Sequence, residues 1–114
     1  MAAVNPFLPQ YEHIPDGEPR IFENRVFLYG SHDKSHGTEF CTEDYVCWSA
    51  PVEDITDWRC EGTIYKKDQD PFNAGGEHAM YAPDVVQGPD GRYYLYYVLD
   101  NMCQISVAVC DRPA

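Results

Sequence analysis

The feature that most constrains this chain is a phrase it contains twice. One copy runs Met80-Tyr81-Ala82-Pro83-Asp84-Val85-Val86, then Gln87-Gly88-Pro89-Asp90-Gly91-Arg92, then Tyr93-Tyr94-Leu95-Tyr96-Tyr97-Val98. The other runs Glu18-Pro19-Arg20-Ile21-Phe22, then Glu23-Asn24-Arg25, then Val26-Phe27-Leu28-Tyr29-Gly30-Ser31-His32-Asp33. Each reads as two short strands around a tight turn, because the runs are β-branched and aromatic and turn-forming residues fill the gap. Pro19 falls on Pro83, Ile21-Phe22 on Val85-Val86, Arg25 on Arg92, Phe27 on Tyr94, Leu28 on Leu95, Tyr29 on Tyr96 and Asp33 on Asp100. The second turn carries three more residues, so the offset grows from 64 at the prolines to 67 at the aspartates.

Self-similarity at a fixed spacing marks a repeat architecture. Each copy is followed by another strand-like run, residues 45–51 in the first and 105–110 in the second. Only the first continues into a fourth run, residues 58–65. Four short strands per repeat suit a blade of a β-propeller, which protects its strand edges by radial repetition. The expected fold is therefore all-β, with blades of four-stranded antiparallel sheets. Blade one spans about 18–65, and an incomplete blade two spans about 82–114, within one domain over 1–114. Rings of this kind close with about 4 to 8 blades, so the chain is expected to be the front part of a longer protein.

Composition excludes several classes. The formal net charge of −11 and the absence of a Lys/Arg cluster argue against a nucleic-acid partner. No apolar run reaches the length of a membrane span, so no membrane partner is expected. The N-terminal residues lack the positive start and apolar core of a signal peptide, and a cytoplasmic location is the expectation. Cys41, Cys47, Cys60, Cys103 and Cys110 make an odd set with no Cys-x-x-Cys pair, against a disulfide framework. Cys47 and Cys110 hold comparable places on matching strands, so both are expected to be buried apolar side chains. No zinc-ligand spacing occurs among the cysteines and histidines, so neither a metal nor another cofactor is expected.

Along the chain, residues 1–17 form an extended lead-in whose prolines at 6, 9 and 15 disfavour helix. Residues 34–44 are a polar loop, and 66–80 a long polar connection of the kind that is functional or disordered. In a propeller that connection delivers His78 to Asp84 near the central channel.

From Asp16 to Asp33 and from Tyr81 to Asp100 the sequence resembles glycoside hydrolase family 43. The resemblance rests on Asn5-Pro6, on Glu18-Pro19-Arg20-Ile21-Phe22, on Phe27-Leu28-Tyr29-Gly30-Ser31, and on Tyr81-Ala82-Pro83-Asp84 in place of Trp-Ala-Pro-Asp. Thr42-Glu43-Asp44-Tyr45-Val46-Cys47-Trp48 is similar to the family's Ser-x-Asp-Leu-x-x-Trp phrase. The resemblance implies a five-bladed propeller, of which about two blades are present. It also implies inverting hydrolysis of arabinose- or xylose-containing glycans, with a carbohydrate as the partner. The family's general base is usually an Asp directly before Pro near the N-terminus. Here that slot holds Glu18, which keeps the proline and strand context, while Asp16 keeps the residue type. Glu18 is preferred, and Asp16 is the other candidate.

Inverting hydrolysis needs one carboxylic acid to protonate the leaving oxygen and a carboxylate roughly 6.5–9.5 Å away to activate water. The resemblance puts only the base within these residues, so the segment alone is expected to be inactive. Substrate-binding candidates are Asp84, Tyr81, His78, Asp33 and His32. Each has a plainer alternative. Asp84 can hold nearby backbone N–H groups, Asp33 and Asp100 can close equivalent turns, and His32 and His78 can simply be packed or solvated. Tyr81, Phe40 and Trp48 can stack on sugar, although strand aromatics more often fill cores. Two other readings are a non-catalytic carbohydrate-binding or scaffold propeller, and a self-contained small β domain that binds a protein. A partial propeller is expected to need its remaining blades or to self-associate through exposed edges and apolar faces.

Overall fold

A computed structural model of the chain describes residues 5–100 and 104–114. The first four residues and Cys103, and with them the readings of the extreme N-terminus and of that cysteine, lie outside the described residues. Alternating aromatic and β-branched positions produce seven strands: β1 (Glu18–Phe22), β2 (Arg25–Tyr29), β3 (Tyr45–Pro51), β4 (Arg59–Tyr65), β5 (Met80–Gln87), β6 (Tyr93–Leu99) and β7 (Ser106–Cys110). They form two antiparallel meanders, a four-stranded sheet in the order β1-β2-β3-β4 and a three-stranded sheet in the order β5-β6-β7.

The two hairpins turn differently. Phe22 pairs with Arg25, and Glu23 and Asn24 both have positive φ, the mirror-image two-residue turn whose twist suits a hairpin. In the second hairpin Gln87 pairs with Tyr93, and Gly91 at φ +80° supplies a left-handed position inside a longer loop. Five residues, 88–92, lie between that pair, against two between Phe22 and Arg25.

The sheets face each other across one core. Phe27, Tyr29, Tyr45 and Cys47 of the first sheet meet Met80, Val85, Tyr93, Leu95, Tyr97 and Leu99 of the second, all buried. On β6 the odd-numbered side chains point inward and the even-numbered ones outward, as a period of two requires. Tyr97 stands edge-on to Tyr45 at 6.2 Å between ring centroids and lies 5.2 Å from Tyr65. Its hydroxyl donates to the carboxylate of Asp70 and sits 2.9 Å from the hydroxyl of Tyr65. Burial, followed by the hydrogen bond to Asp70, pushes the Tyr97 phenol well above its ordinary value.

The long polar connection is ordered by its own side chains. Two single turns of 3-10 helix span Lys67–Gln69 and Pro71–Asn73. Asp70 caps the second through the N–H of Phe72 at 2.7 Å, and Asn73 bonds both backbone groups of His78. Asp70 and Asn73 are buried, so this stretch is a built connection.

Cys47 is buried as the sequence suggests, and burial pushes its thiol up to about 12. Cys110 departs from expectation and is exposed. It ends β7, the edge strand of the three-stranded sheet.

Replacing Tyr97 with Phe removes one donor from the buried Asp70 carboxylate. A loss of about 1–3 kcal/mol is expected, read as a lower denaturant midpoint at unchanged slope in the full-length protein.

Candidate functional site

The first strands of the two sheets, β1 and β5, approach each other, and the candidate residues gather at that edge. Arg20 of β1 reaches across to Asp84 of β5 with two charge-assisted hydrogen bonds. Nε lies 2.9 Å from Oδ1 and Nη2 lies 2.6 Å from Oδ2. The same Nη2 is 3.9 Å from Oε2 of Glu18, an ion-pair distance beyond hydrogen bonding. All three side chains are about half exposed. The Asp84 hydrogen bond and charge raise the Arg20 guanidinium above its ordinary value.

The pairing register corrects one part of the sequence comparison. Glu18 lies opposite Tyr29 and Asp84 opposite Tyr96, so with Tyr29 matched to Tyr96 it is Glu18 that corresponds to Asp84. Pro19 does not fall on Pro83; the first strands slide by two residues. Just before Asp84 the ladder is interrupted by an irregularity between Tyr81 and Asp84. It takes Ala82 to φ +40° and leaves Pro83, which has no N–H to give a ladder, between the paired residues. This bulge is fixed from the first sheet, since the Ala82 N–H donates to Ser31 Oγ at 2.7 Å and the Tyr45 hydroxyl to the Tyr81 carbonyl at 3.1 Å. The N–H of Val85 donates to Asp84 Oδ1 at 2.8 Å, so Asp84 also plays the local backbone role weighed for it.

Asp16 and Glu18 follow a lead-in clamped to the first sheet. The Asp33 N–H donates to the His13 carbonyl and the Ser31 N–H to the Pro15 carbonyl, each at 3.0 Å. Gly30 makes the crossing possible, because a Cβ there would come within 2.3 Å of Ile14 Cγ2 and 2.8 Å of the Pro15 carbonyl oxygen. Asp16 itself has φ +56°, followed by Gly17.

Glu12, which nothing in the sequence singled out, is the hub of that clamp. Its Oε1 lies 2.7 Å from His32 Nε2, and its Oε2 accepts from Trp48 Nε1 at 2.7 Å. The other His32 nitrogen, Nδ1, is 2.8 Å from the carbonyl of Asp44. Both ring nitrogens thus face acceptors, and a ring protonated on both donates to both. His32 and Trp48 are thus both tied to the lead-in through Glu12. Asp33 accepts the Cys41 N–H at 2.6 Å, so it closes the start of the 34–44 loop. His78 Nδ1 lies 2.9 Å from Asp100 Oδ1, and the Asp100 N–H donates to the Ala79 carbonyl.

The candidates do not share one cavity. Tyr81 and Asp100 line an open cleft of about 430 Å³ with Phe40, Glu39, Lys67 and Glu77, and Asp33 lines a neighbouring one of about 220 Å³ with His13 and His36. Burial, then the charge of Asp100, pushes the Tyr81 phenol up. The cavity of about 250 Å³ between the sheets is lined by Tyr65, Val85, Tyr93, Leu95 and the C-terminal residues, without a carboxylate side chain. Among the described residues no cluster of three or more His, Cys, Asp or Glu could hold a metal ion.

Consecutive four-stranded-type meanders, stacked face to face with their first strands adjacent, define this chain as blades of a β-propeller. No family model matches it. It is 62% identical over 110 residues to a xylosidase/arabinosidase of Thermoclostridium stercorarium, across 96% of this chain and 23% of that protein. It is 28% identical to xylosidase/arabinosidase 43A of Humicola insolens, across 89% of this chain and 33% of that one. A crystal structure of the GH43_1 enzyme from Xanthomonas citri complexed with xylose superposes with a TM-score of 0.78 at 29% identity, covering 95% of this chain and 32% of that one. A second crystal structure of that enzyme gives 0.73 at 27% identity. The chain corresponds to an N-terminal portion of a glycoside hydrolase family 43 propeller. It spans between about a quarter and a third of the length of these relatives.

Glu12→Gln keeps the side chain's size but removes its charge from the clamp. We expect about 1.5–3 kcal/mol of destabilisation, the range for hydrogen bonds to charged groups. Denaturant titration measures it, with accelerated proteolysis within residues 5–17 as the local sign.

Proposed function

We propose that the protein carrying this chain hydrolyses O-glycosidic bonds of arabinose- or xylose-containing glycans by inversion. In this reading the segment contributes the general base and later blades contribute the acid. The observation that carries the reading is the meeting of Glu18, Arg20 and Asp84 where β1 and β5 adjoin. A carboxylate at the inner edge of a blade can face a central substrate. The xylosidase/arabinosidase names of the relatives support the substrate class.

Glu18 is the proposed base, since it keeps a cationic neighbour and corresponds in register to Asp84. Asp16 is the alternative on the same clamped lead-in. Tyr81 and Asp84 are proposed to contact sugar directly. His78 is proposed to line the same approach, while Asp33 and His32 act on it through the loops they hold.

The remaining blades belong to the same proposal. Val86, Tyr96, Val107 and Val109 lie on the outward face of the second sheet, each between 44% and 53% exposed. A third blade would cover them, and the isolated 114-residue chain is proposed to self-associate through them. Concentration-dependent light scattering is expected from that chain, reduced by Val107→Lys with Val109→Lys. A monodisperse, cooperatively melting monomer would overturn this part.

For the chemistry, full-length protein is assayed for release from aryl β-D-xyloside and aryl α-L-arabinofuranoside. Glu18→Gln is expected to lower kcat by about 10²–10⁴-fold, the usual contribution of acid–base catalysis. Asp16→Asn should cost far less. The reverse ranking moves the base to Asp16, and full activity in both variants sinks the assignment.

A further inference from the structure

We propose that Ser31 and Tyr45 are positioning residues that grip the peptide between Tyr81 and Ala82, and so hold the Tyr81 ring in the direction a bound sugar needs. This rests on Tyr81 as a sugar contact.

The Tyr81 carbonyl and the Ala82 N–H are the two polar ends of one peptide unit, and a side chain of the first blade takes each. Ser31 Oγ accepts the N–H at 2.7 Å, and the Tyr45 hydroxyl donates to the carbonyl at 3.1 Å. A peptide unit is planar, so holding both ends fixes the plane from which the Tyr81 side chain departs. Neither partner has room to yield. Ser31 and Tyr45 are wholly buried. The Ser31 N–H is bound to the Pro15 carbonyl, and the Tyr45 ring stands edge-on to Tyr97.

The peptide they hold is strained. Ala82 lies at φ +40°, a region that disfavours any residue with a Cβ and persists only where the surroundings impose it. The blade plan does not require this, since β1 pairs with β2 from Glu18 to Phe22 without interruption. In β5, Tyr81 lies opposite Val98 and Asp84 opposite Tyr96, so three steps on one strand meet two on the other. Residues three apart on a regular strand point to opposite faces. The extra residue instead gives Tyr81 and Asp84 one phase, opposite to that of Met80 and Val85 in the core. Tyr81 is no part of that core, and its ring lines the open cleft of about 430 Å³. What the strain secures is therefore the aim of an aromatic at a solvent-open site. Fixing that aim before the sugar arrives removes an ordering cost from binding.

The test uses the full-length protein and an aryl β-D-xyloside, with KM and kcat measured separately. Ser31→Ala frees the N–H end of the peptide, and Tyr45→Phe frees the carbonyl end while keeping the ring. Each is expected to raise KM by about 3–10-fold with kcat within about twofold, the pattern of lost pre-organisation rather than lost chemistry. Tyr81→Ala raises KM by itself. Adding Ser31→Ala to it should then change KM by less than about twofold, because the serine acts through that ring. A merely structural serine would do the same damage with the ring or without it. If Ser31→Ala does not fold, the cycle is run with Tyr45→Phe. An unmoved KM, equal losses in the two backgrounds, or loss of folding in both variants overturns the inference. A KM unmoved by Tyr81→Ala removes Tyr81 as a sugar contact, and the inference with it. A parent inactive on either pentoside removes the glycosidase reading itself.

Discussion

A sheet that is apolar on both faces can keep both dry only by lying between two others, and everything in this chain follows from its first such contact. The seam is made by tyrosines. Tyr29, Tyr45, Tyr65, Tyr93 and Tyr97 give wide hydrophobic faces, and their hydroxyls find acceptors at the edges. Tyr29 donates to the Pro113 carbonyl at 2.6 Å, Tyr45 to Tyr81 and Tyr97 to Asp70. Each aromatic pair contributes about 0.5–1.5 kcal/mol beyond its buried area. The polar tips fix how the sheets register, because a sliding sheet would strand buried hydroxyls and the Asp70 carboxylate without partners. The same seam brings β1 alongside β5, so the meeting of Glu18, Arg20 and Asp84 at that edge is a by-product of how the tyrosines pack.

The strand plan was legible because it depends on local pattern. The third strand spans the residues that its aromatic and β-branched run marks out, and the fourth begins one residue later than expected. The repeat was also legible in β2 and β6, where Phe27-Leu28-Tyr29 and Tyr94-Leu95-Tyr96 point their matching side chains the same way around the fold. Phe27 and Tyr29 face the next sheet, and Tyr94 and Tyr96 face outward, where another would come.

What sequence could not supply were contacts whose partners are far apart. Arg20 and Asp84 lie 64 residues from each other, and neither carries a local signal that it is half of a pair. Glu12 sits in a proline-rich lead-in that reads as a loose strap, and only the fold shows it gripping His32 and Trp48. The bulge at Ala82 and Pro83 misled the first-strand match, since proline looks like a fixed landmark although here it stands outside the ladder. A proline that cannot donate still signals strand geometry, and its neighbours in the pairing carry the correspondence.

The loop between Asp33 and β3 has its two ends fastened independently of its tip. Asp33 holds the Cys41 N–H, and the His32 carbonyl accepts from Glu43 at 3.1 Å. Between those anchors Phe40 stands out with 79% of its surface exposed, beside the cleft that Tyr81 lines. Evolution can therefore rewrite residues 34–40, in length as well as in sequence, without loosening the lead-in or disturbing the acids. The wall of that cleft can thus change while the edge where β1 meets β5 keeps its own contacts.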